Sequence, residues 1–523
     1  MKKLLSNFFL VILLASASLA QIQSSFFGMN QSHSIVCPNT PLSLQYPLYG
    51  VNAALRDWNL CTTQWADINS ANGVYNFASL DGLLAGAKSK NVDVYITLGA
   101  TPNWISSKPT DTACDRANSF GQPAGMCDPP SDINPDGTGT DTAWRAFITA
   151  LVTHVSTSSY LQTHAHIMFY EIWSEFSRSD SIGTATCNAT GPTCSYRGTF
   201  AQMLRMTQDL RCIVEGFPND PITALNTTCG NDKTMPVRGL DPTARIAEGD
   251  AGDTPLDNGN IVMQNYLYCN NNPPVNSQCN YGSAGSAATD IIDGHPYFTS
   301  HVPEALIPVL ADMISRLSLT DQAKLRFASE GSWGQNSTVN DPMLQAAYVP
   351  RWFAVLLIQK FDRGYWWSWD GAGAGGNGGL WNSVSMTFPP NQCNTIDPVV
   401  GGYDCTGGTA FRTTIQWFVG NTVTGITCPT SCSNPTLGVY TMTFTGVNGQ
   451  TFVMVWDSSQ TSPCSNPMCG QTPLPTLPFQ AANWQDVLGN NYSGQPKTIG
   501  ASPIWLVKGT GPLAPQNLGA IVN

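Results

Sequence analysis

Short apolar runs rich in β-branched and aromatic residues alternate along most of the chain with longer segments whose apolar positions recur at helical spacing. Phe26 to Asn30 reads as a first strand, Leu48 to Asp57 as a second and Val92 to Gly99 as a third. Leu80 to Lys90, between the second and third, has a helical pattern that stops at Asn91, so strand, helix and strand follow in the rhythm of a βαβ unit. The next helix spans Thr142 to Ser156, with Trp144, Phe147, Ile148, Leu151 and Val155 on its apolar face and Asp141 placed to cap it.

The series continues with a fourth strand inside His166 to Ser177, a helix from Tyr196 to Glu215, and a fifth strand, Ala244 to Glu248. A sixth strand follows at Asp290 to Tyr297, a helix at Glu304 to Leu317, and a seventh strand from Lys324 that breaks at Glu330. Pro342 to Gln359 is helical, Gly364 to Asp370 is an eighth strand, and Thr409 to Val419 is a last helix. Eight strands with helices between them are what a (β/α)8 TIM barrel requires, and an α/β barrel is expected over residues 21–424. From Gly425 the pattern changes to short alternating strands, Gly438 to Gly446, Gln450 to Asp457 and Ser502 to Val507, with Asn448-Gly449 as a hairpin turn. A small C-terminal all-β, sandwich-like domain is expected over 425–523; it contains no Glu and no His, so chemistry is not expected there.

Chemistry in such a barrel belongs at the C-terminal ends of the strands. The fourth run, His-Ile-Met-Phe-Tyr-Glu-Ile-Trp-Ser-Glu-Phe-Ser, stops on Glu175, and the seventh stops on Glu330. Only six Glu occur in the chain, at 171, 175, 215, 248, 304 and 330, so two at strand ends form a sparse pair. Either one alone reads better as a salt-bridged or capping carboxylate; together they suit the paired-carboxylate chemistry of a glycosidase. Arg56, at the end of the second strand, can hold a carboxylate ionised through a bidentate hydrogen bond, or make an ordinary ion pair. His295 and Tyr297 end the sixth strand within reach of a sugar or a carboxylate. Trp104 follows the third strand, Trp333 follows Glu330, and Trp366, Trp367 and Trp369 lie in the eighth. Indole faces offer a platform for a pyranose, although alternation puts at least one of these in the core.

Composition narrows the choice. Only 11% of residues are charged, the net charge is −11, and no Lys/Arg run occurs, which argues against a nucleic-acid surface. Lys2, Lys3, the apolar run Phe8 to Leu14 and Ser18-Leu19-Ala20 before Gln21 read as a cleavable secretory signal over residues 1–20, too short to span a bilayer. A secreted or periplasmic protein, with no membrane segment after cleavage, is the expectation. Sixteen cysteines fit an oxidising compartment. Several stand close together, at 114 and 127, 187 and 194, 269 and 279, 393 and 405, 428 and 432, and 464 and 469, the spacing of local disulfides that pin loops. Zinc is the alternative, but no His follows His301, so neither metal nor cofactor is expected.

Tyr-Glu-Ile-Trp-Ser-Glu at 170–175 resembles the Trp/Tyr-Glu-x-Trp-Asn-Glu-Pro motif on strand four of the clan A glycoside hydrolases, most closely family 39 and its relatives, over about Phe26 to Lys508. The resemblance implies a barrel joined to a C-terminal β-domain and a retaining hydrolase of β-linked glycosides. It makes Glu175 the general acid/base and Glu330 the nucleophile, with Arg56, His295, Tyr297 and Trp367 or Trp369 around the nucleophile and the sugar. Two residues depart from the pattern: Ser174 stands where the family has an Asn that contacts the sugar 2-hydroxyl, and Phe176 stands where it has Pro. Substrate identity stays open. A metal-dependent hydrolase using Glu171, Glu175, His295 and Glu330, and a non-catalytic carbohydrate-binding barrel, are the rival readings.

Overall fold

A computed structural model describes residues 20–30, 54–57, 63–113, 124–176, 195–216, 239–249, 259–268, 282–298, 302–333, 339, 341–369, 378–382, 385, 392–396, 402–461 and 470–509, with 54–57 described by backbone alone. The expected signal segment up to residue 19, the side chain of Arg56, and Cys114, Cys187, Cys194, Cys269, Cys279, Cys464 and Cys469 lie outside the described residues.

Eight parallel strands close a barrel in chain order: β1 (Phe27–Asn30), β2 (Ala54–Asp57), β3 (Asp93–Thr97), β4 (Ile167–Glu171), β5 (Arg245–Ala247), β6 (Ile291–Gly294), β7 (Leu325–Ala328) and β8 (Arg363–Trp366). Closure is direct, because Gly28 of β1 is in register with Ala54 of β2 on one side and Tyr365 of β8 on the other. A Cβ on Gly28 would fall 2.3 Å from the Tyr365 ring, so the seam needs glycine. Tyr95, Phe169, Phe327 and Tyr365 fill the barrel interior as one aromatic layer, with the Tyr95 and Tyr365 centroids 5.5 Å apart. The Arg363 guanidinium lies over the Phe169 ring at 4.6 Å and pairs with Asp93 at 2.8 Å. The barrel is therefore a packed core, not a pore.

Helices wrap it: α1 (Trp65–Ile68), α2 (Ala78–Lys90), α3 (Thr142–Val155), α4 (Phe200–Val214), α5 (Gly259–Tyr268), α6 (Ala284–Ala288), α7 (Leu306–Ser315), α8 (Pro342–Ile358) and α9 (Thr406–Phe418). Local sequence starts two of them clearly. Thr199 and Gln202 exchange hydrogen bonds in a capping box before α4, and Asp341 accepts from the Met343 and Leu344 amides with Pro342 in the first turn of α8.

Asp141 does not cap α3 as expected. It takes a left-handed φ of +47°, its side chain makes no cap bond, and its carboxyl turns inward toward Asp209, where burial raises its pKa well above the usual carboxylate range. Helices α5 and α6 are additions to the sequence reading. Their Asn, Gly and Ser content hides them locally, but tertiary partners stabilise α5, as when Asn260 donates to Val309 O and Asp312 on the neighbouring helix.

Between β8 and α9, part of the segment 371–408 forms a three-stranded antiparallel sheet of β9 (Trp381–Asn382), β10 (Cys393–Ile396) and β11 (Tyr403–Cys405), tied by the Cys393–Cys405 disulfide. Cys428 and Cys432 are also bonded to each other. Cys127 and Cys212 each take part in a disulfide, Cys212 being a cysteine to which spacing assigned no neighbour.

The C-terminal part is all β. A six-stranded antiparallel sheet has the order β12 (Thr422–Thr427), β13 (Val439–Thr445), β14 (Thr451–Asp457), β19 (Ile504–Lys508), β16 (Ala481–Gln485) and β17 (Asn491–Ser493), beside a two-stranded pair of β15 (Thr472–Pro473) and β18 (Thr498–Ile499). One face, including Phe444 and Trp505, packs on Trp417 and Phe418 of α9; the other buries Val455, Trp484 and Leu506. Arg351 of α8, fully buried, makes a two-pronged ion pair with Glu304 and donates to Ala501 O, while the Trp456 indole donates to Glu304 at 2.7 Å. That joint locks sheet to barrel through charge as well as apolar surface. No described helix is long and apolar enough to cross a membrane.

Candidate active site

Strand β4 delivers its cargo through an in-and-out zigzag of apolar anchors. Ile172 and Trp173 are buried beyond its end, with the Trp173 indole donating to Ser195 O at 2.8 Å and its ring lying over Gly99. Phe176 is fully buried, its ring 5.5 Å from that of Tyr266. Between these anchors Ser174 and Glu175 are only half-buried, and Glu175 takes φ +52°, a left-handed conformation that non-glycine residues adopt at some cost. Phe176, in the place of the motif's Pro, thus acts as a core anchor that turns Glu175 outward.

Strand β6 continues into His295, Pro296 and Tyr297, and β7 into Ser329 and Glu330. His295 is fully buried, and its Nδ1 lies 3.2 Å from Glu175 Oε1 and 3.5 Å from Glu330 Oε2. One imidazole nitrogen therefore faces both carboxylates. The Tyr297 hydroxyl donates to Glu330 Oε2 at 2.7 Å. Facing atoms of Glu175, His295 and Glu330 all lie within 4.8 Å of one another. Two carboxylates at this separation can act as nucleophile and acid/base on one bond; two carboxylates and an imidazole are also a donor set that can hold a divalent cation.

Arg56 lies on β2 in register with Asn30 and Tyr95. Trp104 is half-buried, with its indole spent on Asn69 O at 2.9 Å. Trp367 is 7% exposed. Trp333 and Trp369 correct the sequence reading. Trp333 is fully buried, its ring 4.9 Å from that of Trp366 and 6.5 Å from that of Phe298, so it packs the core behind Glu330 and has no face for a sugar. Trp369 is 1% exposed and stacks on Trp381 at 5.0 Å, a partner supplied by the unforeseen β9.

Below the three facing residues lies a buried polar layer of which sequence reasoning had singled out only Glu171. Asn30, at the end of β1, donates to Ser329 O at 2.7 Å and Tyr365 O at 3.2 Å. Asp293 accepts from the Tyr95 hydroxyl at 2.6 Å and from the Gly294 and Ser329 amides. Glu248 accepts from the Asp293 amide at 3.0 Å, and Glu171 accepts from the Thr97 hydroxyl. The available signal was the one that marked the two Glu: a polar residue at the end of an apolar strand.

No family model and no curated protein matches the chain. Solved structures do match it in fold. A glucosidase from Croceicoccus marinus superposes with a TM-score of 0.52 at 10% identity, over 94% of this chain and 97% of that one. A family 39 glycoside hydrolase from the gut symbiont Bacteroides cellulosilyticus WH2 gives 0.51 at 12% identity, over 87% of this chain and 75% of that one. A conserved exported protein from Bacteroides fragilis gives 0.51 at 11%, over 87% and 88%. The likeness extends over barrel and β-part together, and it is a likeness of fold.

Proposed function

We propose that the chain is a secreted, retaining glycoside hydrolase of the clan A type, related to family 39, acting on β-linked glycosides or β-glycans. The observation that carries this reading is the approach of Glu175 and Glu330 to within 4.8 Å at the ends of β4 and β7, with His295 between them. Retention calls for carboxyl groups about 5–5.5 Å apart, and inversion needs a wider gap to admit water.

In the first step a Glu330 oxygen attacks the anomeric carbon while Glu175 gives its proton to the departing glycosidic oxygen. Water, deprotonated by Glu175, then releases the sugar from Glu330 and restores both groups. Tyr297 holds the attacking carboxylate through its 2.7 Å bond and fixes which oxygen is left to react. His295 orients both carboxyl groups. Arg56, Trp104, Ser174 and Trp367 complete the sugar site in this reading, with Trp367 as the stacking face. Ser174 is shorter than the Asn of the family motif, so the contact to the 2-hydroxyl passes to water or another side chain. No cofactor takes part.

The test is turnover of a panel of nitrophenyl β-glycosides and plant or microbial β-glycans, with the anomer of the first product read by NMR. Retained configuration supports the reading; inversion, or binding of intact glycans without turnover, defeats it. The same three residues favour one second reading, a metal-dependent hydrolase. Activity that survives dialysis against a chelator excludes that reading, and activity that returns only with added divalent cation establishes it.

A further inference from the structure

The peptide units that carry Glu330 are gripped from several sides by buried polar groups, which an ordinary strand end does not need. The Ser329 N–H donates to Gly294 O at 3.2 Å, the expected neighbour, and also to Asp293 Oδ1 at 3.1 Å. Its carbonyl accepts from Asn30 Nδ2 at 2.7 Å, and the same nitrogen reaches Tyr365 O at 3.2 Å. The two acceptors fix the orientation of the Asn30 amide, and one side chain from β1 thereby ties the ends of β7 and β8. Asp293 is itself pinned, by the Gly294 amide at 2.7 Å and the Tyr95 hydroxyl at 2.6 Å. Beyond Glu330, Gly331 O accepts from the Trp367 amide at 3.1 Å, and a Cβ on Gly331 would fall 2.5 Å from the Trp352 ring.

Asn30 and Asp293 are both buried, just above the aromatic layer of Tyr95, Phe169, Phe327 and Tyr365. An apolar residue at position 30 would continue that layer without the desolvation cost of a buried amide. What the amide adds is direction: it presents hydrogens to the Ser329 and Tyr365 carbonyls and so links the two strand ends. A nucleophile must sit about 3–3.5 Å from the atom it attacks, and a displacement of about 1 Å costs on the order of 100-fold in rate.

We propose that Asn30 and Asp293 are positioning residues that set the Glu330 carboxylate for attack by clamping Ser329 on its N–H and its carbonyl. The proposal rests on the reading of Glu330 as nucleophile. It assigns catalytic consequence to two residues that touch no substrate.

The full-length protein is tested as wild type, Asn30→Asp and Tyr95→Phe. Asn30→Asp keeps the shape but sets an oxygen against two carbonyls; Tyr95→Phe removes only the hydroxyl that pins Asp293. Two quantities are read on the best nitrophenyl glycoside: kcat against KM, and the rate of inactivation by the matching 2-deoxy-2-fluoroglycosyl fluoride. In that inactivation a Glu330 oxygen bonds to the anomeric carbon as fluoride leaves. Asn30→Asp is expected to lower kcat and the inactivation rate together by about 10- to 100-fold with KM within about threefold, and Tyr95→Phe by about three- to tenfold. Near-UV circular dichroism gives the folded fraction against which each rate is normalised. Variants whose normalised rates stay within about twofold of wild type overturn the proposal. If Asn30→Asp does not fold, Tyr95→Phe decides by the same criterion. Wild type that neither turns over nor becomes labelled at Glu330 defeats the underlying reading instead, so the two failures are distinct.

Discussion

The Tyr297 hydroxyl and Glu330 Oε2 are 2.7 Å apart, and the phenol is the donor. A hydrogen bond to a charged group contributes about 1.5–3 kcal/mol, and in the proposed reading its loss falls on the attacking group. Tyr297→Phe is expected to lower kcat by about 10- to 100-fold with little change in KM, because the hydroxyl serves the carboxylate and not the leaving group. Steady-state kinetics on one nitrophenyl glycoside measures both.

The two carboxylates should separate by leaving group. In the proposed reading Glu175→Gln removes the proton donor, worth about 100- to 10,000-fold, and the loss should be largest on natural glycans and smallest on nitrophenyl substrates that leave unassisted. Azide should restore its turnover and yield a glycosyl azide. Glu330→Gln should be inactive on every substrate. Activity undiminished in either variant refutes the assignment.

Breaking the joint between barrel and sheet should be costly. Arg351 and Glu304 are both buried and pair through 2.8 Å and 2.5 Å bonds, so Glu304→Ala strands a guanidinium away from water. The expected loss is about 3–5 kcal/mol, seen as an earlier denaturant midpoint. Glu304→Gln combined with Arg351→Met should lose far less, since neither charge is then left alone.

Asp128 gives a pH signature of its own. It is fully buried in the segment that follows β3, and Lys108 pairs with it at the long distance of 3.4 Å. Burial pushes its pKa up to about 6, against the pull of Lys108. A raised carboxyl pKa favours the folded protein fully below the unfolded value of 3.8, and that stability is lost as pH rises through about 6. Asp128→Asn should therefore melt about 2 °C or more above wild type at pH 7.5, with the difference gone near pH 4. Thermal melts at the two pH values check this.

The barrel was legible in the sequence because a strand covered on both faces is an unbroken apolar run, and the carboxylates were legible because each run stops abruptly at Glu175 or Glu330. What stayed hidden depends on which strands become neighbours. Asn30 ends its strand as plainly as Glu330 does, yet its role appears only when β1 lies beside β8 and near the end of β7. Trp333 and Trp369 follow strands just as Trp367 does, but Phe298, Trp366 and Trp381 close over them. Local spacing paired Cys393 with Cys405 and had nothing to say of Cys212.

The seam of the barrel also sets a timetable. Asn30 must wait for carbonyls 299 and 335 residues further on, and Ile22 for its two backbone partners at Gly420 and Asn421. At about 5–20 residues synthesised per second, the first strand spends roughly twenty seconds to a minute without its second neighbour. A nascent chain therefore carries Glu175, Glu330 and seven of the eight strands before β8 closes the wall. In the proposed reading, a chain that ends short of β8 leaves the Asn30 amide without its second acceptor, Tyr365 O, and should not turn over a glycoside.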